Sequence, residues 1–362
     1  MNKIIRVLHT EWSNGWGGQE IRIINEMLAV REQGIEVFLA CRENATIHHK
    51  ALEHQIPVFI LPFKGNTDFK TLFALKKLVK QYQIDIINTH SGKDTWVGGL
   101  AAKLAGAKFI RTRHLSNLIK TNRTNFINEL ADYIFTTGET IRKDMIRYNR
   151  INPNRIQSIP TGIDAELFDP NLYDRSTCRQ QFNLQENHIA IGIVAVLRQF
   201  KRHDLFLKMA KGLINQFRDK KMVFLIAGEG PQKEKILSIV DQLGLNESVR
   251  FLGHVSNVPE LLTALDVFVL SSDSKEGVPQ SVMQALLMNK AVVATNSGST
   301  EDLYNHDNFM LVDTNSEELL KEAVSRYIGN SKPINSRQFI LDGFSKPVMT
   351  QKIVNVYREL VV

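Results

Sequence analysis

The sequence predicts an α/β protein with two doubly wound domains, in which helices cover both faces of each parallel sheet. Short apolar runs alternate with amphipathic stretches along nearly the whole chain, as strands and helices do in such folds. A polar stretch at residues 149–187, which contains three prolines, interrupts this alternation once. The 362 residues also exceed what one ordinary core accommodates.

The first half contains predicted strands and helices in regular alternation. The strands are residues 4–9, 36–40, 58–61, 84–89, 108–113 and 133–137. The helices are residues 19–33, 47–55, 69–82, 93–105, 122–131 and 140–148. In the helix at residues 69–82 one face is apolar (Phe69, Leu72, Leu75, Leu78, Val79 and Tyr82) and the other is basic (Lys70, Lys76, Lys77 and Lys80).

The second half repeats the alternation after the polar stretch, which we interpret as the interdomain connection. Its segments are residues 189–197, 203–217, 222–227, 232–243, 249–252, 267–270 and 291–295. We predict a first domain at residues 1–166, a second at 167–343, and a final amphipathic helix within 344–362 that crosses back to the first. Ligands of doubly wound sheets bind at the carboxyl ends of strands, so a cleft between two Rossmann-like domains is the expected site.

Composition narrows the functional classes. No apolar run approaches the ~20 residues that span a bilayer. The apolar run within residues 1–10 is too short and too interrupted for the hydrophobic region of a signal peptide. Cys41 and Cys178 stand far apart, which favours a reduced compartment and excludes a disulfide framework or zinc site. We therefore expect a cytoplasmic protein. The net charge of +7 fits an anionic substrate, an anionic membrane or an ordinary basic surface, and no nucleic-acid-binding pattern is present.

Glycines and charged residues follow several of the predicted strands. The first strand leads into a glycine-rich loop with Gly17 and Gly18, which is either an anion site at a helix start or a tight turn. Arg198 and Lys201 lie in a loop after the strand at 189–197. This loop is either a binding site for a diphosphate or an ordinary solvent-exposed basic loop. Glu276 precedes a helix whose first turn can begin at Pro279. Its carboxylate either binds a sugar or only caps that helix.

In this order and spacing the segments resemble glycosyltransferase family 4, whose members are retaining enzymes of the GT-B fold. The resemblance covers nearly the entire chain, at residues 17–20, 160–164, 197–201, 227–231, 251–253, 266–276 and 298–301. It implies two Rossmann-like domains facing across a cleft, with a nucleotide-sugar donor held by the second domain. It also implies transfer to an envelope glycan or a lipid-linked acceptor, in lipopolysaccharide or polysaccharide biosynthesis.

The resemblance also assigns the donor site. In the family's Glu-x7-Glu pattern Glu276 is the first acid, which contacts the transferred sugar, and Gln284 replaces the second, which contacts the ribose. The family's Gly-Arg-Leu is Ala195-Val196-Leu197 here, so Arg198 is the expected substitute for the diphosphate arginine, beside the matching Lys201. The expected donor-binding set is Gly17, Gly18, Arg198, Lys201, Gly228, Gly277, Val278, Gln280, Ser281, Gln284 and Glu301.

Catalysis is assigned to His114 and Glu276. The family places a histidine near the reacting sugar, and His114 ends the strand at residues 108–113. His90 and Arg113 are expected on the acceptor side, next to a wider surface at residues 14–18, 91–95 and 114–125. No Asp-x-Asp motif occurs, so we expect neither a metal nor a cofactor. The departing diphosphate is then stabilised by cations and helix-start amides.

The acceptor side also carries cations (Arg111, Arg113, Lys120 and Arg123) among apolar residues (Leu115, Leu118, Ile119 and Phe126). This pattern favours peripheral contact with an anionic membrane, and a solvated basic face is the alternative. Two other functions remain open at this stage. One is a GT-B sugar-nucleotide epimerase, and the other is a catalytically silent nucleotide-binding subunit, for which Gln284 and Val196 are the only indications.

Overall fold

The structure is a computed structural model of the full chain, and it describes residues 3–114, 118–119, 123–274, 276–305, 309–329 and 336–361. The chain forms two compact units. The first unit comprises Met1–Gly162 and Lys346–Val362, and the second comprises Ile163–Ser345.

The first unit is built on a seven-stranded parallel sheet. Its strands are β1 (Arg6–Glu11), β2 (Glu36–Cys41), β3 (Val58–Ile60), β4 (Ile86–Thr89), β5 (Lys108–Arg113), β6 (Tyr133–Thr136) and β7 (Ile156–Ser158). The helices between them are α1 (Gly18–Arg31), α2 (Thr46–Glu53), α3 (Phe69–Gln81), α4 (Gly92–Ala105) and α5 (Glu139–Asn149). The strand order β3-β2-β1-β4-β5-β6-β7 reverses between β1 and β4, which makes that point the expected binding edge.

The second unit repeats the arrangement with a six-stranded parallel sheet. Its strands are β8 (His188–Val194), β9 (Lys221–Ala227), β10 (Val249–Gly253), β11 (Val267–Leu270), β12 (Ala291–Thr295) and β13 (Met310–Val312). Its helices are α6 (Arg175–Gln181), α7 (His203–Gln216), α8 (Lys233–Gln242), α9 (Val258–Ala264), α10 (Gln280–Leu287), α11 (Glu317–Ser325) and α12 (Arg337–Phe344). Here the order β10-β9-β8-β11-β12-β13 reverses between β8 and β11.

Each sheet is buried on both faces, because helices cover both sides of a parallel sheet. All four residues of β11 are fully or almost fully buried, as are those of β4. Two apolar clusters form in each unit, one on either side of its sheet. The predicted pair of doubly wound parallel sheets is thereby confirmed.

The chain passes between the units twice, at adjacent positions. It leaves the first unit after Gly162 and returns at Lys346, where helix α13 (Lys346–Val361) begins. Helix α13 buries Met349, Ile353 and Tyr357 in the core of the first unit. The predicted boundaries at 166/167 and 343/344 differ slightly from these positions, because Ile163 already belongs to the core of the second unit.

Several local predictions are wrong. The polar stretch at residues 149–187 is more than a connection, since it contains β7 and α6. The helix predicted at 122–131 is a short 3-10 helix at Arg123–Asn128. Phe69 and Tyr82, placed on the apolar face of α3, are 66% and 36% exposed. Among the described residues, no helix has the length and apolar character needed to cross a membrane.

Candidate functional site

Two loops of the second unit meet where the strand order of its sheet reverses. The loop after β8 contains Lys201, and the loop after β11 begins with Ser271. The Ser271 hydroxyl donates to the carbonyls of Lys201 and Arg202 at 2.9 and 3.0 Å. The amide of Asp273 donates to the carbonyl of Phe200 at 2.9 Å. These bonds hold the two loops in a fixed arrangement before any ligand binds.

Lys201 and Glu276 form an ion pair across these loops. Lys201 Nζ lies 2.5 Å from Glu276 Oε1, and both side chains are largely buried. The hydroxyl of Ser272 donates to the same oxygen at 2.6 Å. The pair therefore presents a carboxylate for sugar hydroxyls and a cation for phosphate at a single point. Glu276 was predicted beside helix-start amides, and the structure gives its carboxylate the partners Lys201 and Ser272.

Two glycines allow the neighbouring loops to approach these segments. Gly228, with φ +140°, follows β9, and a β-carbon there would lie 2.0 Å from the carbonyl oxygen of Ala195. Gly298, with φ +58°, follows β12, and a β-carbon there would lie 2.0 Å from the carbonyl oxygen of Glu276. Close backbone contact on the two sides thus fixes both the cationic loop and the acidic residue.

We expect Gly298→Ala to lower the free energy of unfolding by about 2–4 kcal/mol, since it combines a left-handed backbone with a steric clash. Gly244→Ala is the matched control, because Gly244 has φ +64° and no neighbour within 4 Å of the added carbon. That control should lose only about 1 kcal/mol. Urea unfolding of both variants measures the difference, and equal losses would contradict the close packing against Glu276.

The remaining predicted donor residues lie around this pair. Arg198 is exposed in the loop after β8, and Glu301 is exposed in the 3-10 helix Thr300–Leu303. Gly277 and the buried Val278 connect Glu276 to α10. Half-buried side chains of α10 follow (Gln280, Ser281 and Gln284). Pro279, predicted inside the first turn of this helix, is its N-cap. The structure thus joins the Lys201 side chain directly to Glu276, whereas Arg198 meets Lys201 through the backbone, its carbonyl accepting from the Lys201 amide at 3.1 Å.

A small cavity of about 30 Å³ lies beside the loop after β8, lined by Arg198, His203 and Gln232 among others. Its volume is far below the roughly 300–1,000 Å³ of small-molecule pockets, so this cavity by itself does not accommodate a nucleotide sugar. Both ring nitrogens of His203 are buried without a hydrogen-bond partner. Burial, with a smaller contribution from the charge of Lys201, lowers the pKa of His203 to about 4. This side chain is therefore neutral at physiological pH.

In the first unit, three histidines form a hydrogen-bonded chain at the carboxyl ends of β1, β4 and β5. His9 Nδ1 lies 3.0 Å from His90 Nε2, and His90 Nδ1 lies 3.1 Å from His114 Nε2. Burial lowers the pKa of His9 to about 3 and lowers the pKa values of His90 and His114 well below their usual value. A neutral imidazole has one N–H, so His90 donates in one of its two contacts and accepts in the other.

A buried polar network lies near these histidines. Arg22 is fully buried, with Nη2 3.5 Å from Glu26 Oε2. Asn88 Nδ2 and the Tyr357 hydroxyl donate to Glu26 Oε1 at 3.1 and 3.2 Å. The positive charge of Arg22 adds to the lowering of the pKa values of His90 and His114. The network thus helps to keep the histidine chain uncharged.

The glycine-rich loop after β1 is held by a buried carboxylate. Glu11 accepts from the Ser13 amide at 2.7 Å and from Gln19 Nε2 at 2.5 Å. Burial, with a smaller effect of the nearby Asp94 charge, raises the pKa of Glu11 to about 8. Gly17 is the N-cap of α1 and Gly18 is its first residue. The glycine-rich loop therefore leads directly into a helix start, where backbone amides are available.

The predicted membrane cluster on the acceptor side is only partly as expected. Arg111 is 5% exposed, so this residue contradicts the prediction of a solvent-facing cationic cluster. Arg113, at the end of β5, is partly buried. Leu118 is 61% exposed. Lys120 and Leu115 lie outside the described residues.

Sequence reasoning missed His9, Ser272 and Arg22. His9 lies inside β1, and its sequence position does not distinguish it from any other polar residue near a strand end. The signal that could have identified it is the recurrence of a histidine near the carboxyl ends of three strands of one sheet. Ser272 is the second residue after the apolar strand β11, in the loop at the binding edge. Arg22 gave no signal, because helix α1 shows no clear amphipathic pattern.

Two family profiles match the chain in succession. Residues 16–167 match Glycosyltransferase Family 4, and residues 174–340 match Glycosyl transferases group 1. The UDP-Gal:alpha-D-GlcNAc-diphosphoundecaprenol alpha-1,3-galactosyltransferase of Escherichia coli is 24% identical, over 99% of this chain and 98% of its own length.

Solved structures match over the same extent. A glycosyltransferase from Rickettsia africae superposes with a TM-score of 0.89 at 18% identity, covering 99% of each chain. HepE of Anabaena, solved in complex with UDP, superposes with a TM-score of 0.84 at 18% identity, covering 98% of this chain and 100% of HepE. At this level of identity the likeness shows a shared fold.

Proposed function

Since the chain belongs to glycosyltransferase family 4 and has the GT-B fold, we propose that it is a retaining, metal-independent transferase that uses a UDP-sugar. Its acceptor in this proposal is a lipid-linked glycan of an envelope polysaccharide or lipopolysaccharide pathway, met at the cytoplasmic face of the membrane. The observation that carries the proposal is the Lys201–Glu276 pair at the reversal point of the second sheet. UDP and the lipid-linked acceptor are supported by what the two relatives named above bind or use.

In the proposed reaction, the bond from the sugar C1 to the donor phosphate breaks, and its electron pair stays on the phosphate oxygen. The acceptor oxygen bonds to C1 on the same face, and its proton passes to the departing phosphate oxygen. Lys201, with Arg198, holds the phosphate charge that develops. Glu276 binds hydroxyls of the transferred sugar and orients C1. The resemblance to the family adds His114 as a further group proposed to act on the reacting sugar.

Two rival functions use the same donor site. A sugar-nucleotide epimerase would return an isomerised UDP-sugar, whereas a transferase releases UDP and forms a new glycoside. A silent subunit would bind the nucleotide without turnover. The ion pair supports a ligand site, which all three functions share, because a buried carboxylate held by both a lysine and a serine is costly to maintain without a ligand to bind.

Binding of the donor is tested by thermal unfolding with UDP, GDP and ADP and their sugar conjugates, each with and without EDTA. At about 100 times the dissociation constant a ligand adds ~2.7 kcal/mol of stability, which is a shift of several degrees. We expect this shift with UDP and its conjugates, and we expect EDTA to leave it unchanged.

Each other result has a definite meaning. A shift with GDP or ADP alone would exclude UDP as the nucleotide. A shift that EDTA removes would exclude metal independence. The absence of any shift would contradict the donor site itself. Product analysis after incubation with a UDP-sugar and a lipid-linked acceptor then separates the transferase from the epimerase.

A further inference from the structure

Helix α3 presents two phenylalanines and a set of lysines to solvent. Phe69 and Phe73 are 66% and 61% exposed, and they are the most exposed aromatic side chains of the described residues. The lysines of the helix are Lys70, Lys76, Lys77 and Lys80, and Lys76 is the only one of them that is partly buried. We call these six residues the α3 face.

The α3 face is one continuous strip. At about 100° per residue, its six side chains fall within an arc of about 120°. The buried residues of the helix occupy the opposite side (Thr71, Leu72, Leu75 and Val79). The aromatic rings are therefore interleaved with the ammonium groups on one face and are not part of the core.

The charge of this face is not compensated on its own helix. None of the thirteen residues of α3 is acidic. The nearest acids along the chain are otherwise engaged. Asp68 caps the helix by accepting from the Thr71 amide and hydroxyl, and Asp85 pairs with Lys3. At the end of the neighbouring helix α4, Leu104 is 56% exposed.

We propose that the α3 face docks on an anionic lipid bilayer. Phenylalanine rings insert at the boundary between headgroups and acyl chains, and neighbouring lysines can extend past them so that their ammonium groups reach the headgroups. The surplus of positive charge complements anionic lipids, to which each basic residue near the surface adds attraction. A protein partner would need acids matched to four lysines, whereas a bilayer requires no such register.

The position of α3 relative to the sheet indicates what this docking would achieve. Helix α3 follows β3, so it begins at the carboxyl edge of the sheet, the edge that carries the histidine chain. Docking would bring that edge close to the lipid surface, where a lipid-linked acceptor is held. Only this last step rests on the proposed function, since the surface itself is argued from the helix.

The test is co-sedimentation of the purified full chain with two kinds of vesicle. One is phosphatidylcholine alone, and the other is phosphatidylcholine mixed with phosphatidylglycerol. We expect binding to the anionic vesicles that weakens with added salt. Phe69→Ala combined with Phe73→Ala, and separately Lys70→Gln combined with Lys77→Gln and Lys80→Gln, should each lower that binding about tenfold or more.

The matched control removes the same charge from the second unit. It combines Lys208→Gln, Lys221→Gln and Lys233→Gln, all at exposed positions, and we expect it to keep the binding of the wild type. If the control lost as much vesicle binding as the α3 variants, the effect would be due to overall charge, and the proposal would be overturned. No vesicle binding by the wild type, or unchanged binding by both α3 variants, would overturn it as well.

The thermal shift with UDP separates this proposal from the proposed function. The α3 variants should retain the wild-type unfolding temperature and the shift, because their changes lie on an exposed face far along the chain from Lys201 and Glu276. A wild type that binds vesicles but shows no shift with any nucleotide would contradict the donor site and leave the membrane surface standing.

Discussion

Glu276→Ala is expected to reduce sugar transfer at least ~100-fold, the size of effect seen when one preorganised electrostatic contact is removed from a transition state. The carboxylate accepts from both Lys201 and Ser272. Its loss removes the proposed contact to the sugar and the ion-pair partner of Lys201. Steady-state transfer from the UDP-sugar measures the effect, and transfer at the wild-type rate would contradict the assignment.

Two further variants divide the role of this carboxylate. Ser272→Ala removes one hydrogen bond and keeps the ion pair, so we expect about a tenfold loss. Lys201→Ala should weaken UDP binding as well as transfer, because the lysine faces the phosphates in the proposal. In contrast, Glu276→Ala should still bind UDP, which lacks the transferred sugar that Glu276 contacts in the proposal. An equal loss of UDP binding in both variants would show that Glu276 acts only by holding the lysine.

The architecture and half of the site were predictable from the sequence. Parallel strands buried on both faces have apolar sequences, which is why β11 and β12 were placed at their correct residues. Glu276 and Lys201 each follow such a strand, so their convergence at one edge follows from the topology. β7 was missed, since its three residues lie between Pro153 and Pro160 and show too short an alternation.

The other half depends on contacts between distant segments. Ser272 and Lys201 are joined through loops whose geometry Gly228 and Gly298 allow, and no local pattern encodes that approach. His9 meets His90 because β1 pairs with β4, a neighbour relation that the strand order decides. Phe69 was assigned to the core of the first unit from its spacing, but it lies near the edge of the apolar arc, where periodicity alone does not determine burial.

His114→Ala is the second variant from which we expect a large effect, a loss of transfer of about 100-fold or more. His114 Nε2 is committed to His90, so His114 meets the substrate through its remaining ring nitrogen. His90→Phe should cause a smaller loss, since it removes the bond that orients His114 without removing the imidazole. His54→Ala, at an exposed position, is the control and should be neutral. Full activity of His114→Ala would exclude it from the reaction.

The dependence of the free energy of unfolding on pH tests whether the histidine chain is neutral. A histidine whose folded pKa lies below the unfolded value of about 6.5 adds stability above that pH, and this contribution is lost as the pH falls toward the folded pKa. Since burial lowers the pKa of His9 to about 3, unfolding should become easier as the pH drops below about 6.5. His9→Phe should weaken this dependence in urea titrations at successive pH values. An unchanged dependence would mean that His9 has the same pKa in the folded and unfolded states, which would contradict a buried, neutral His9.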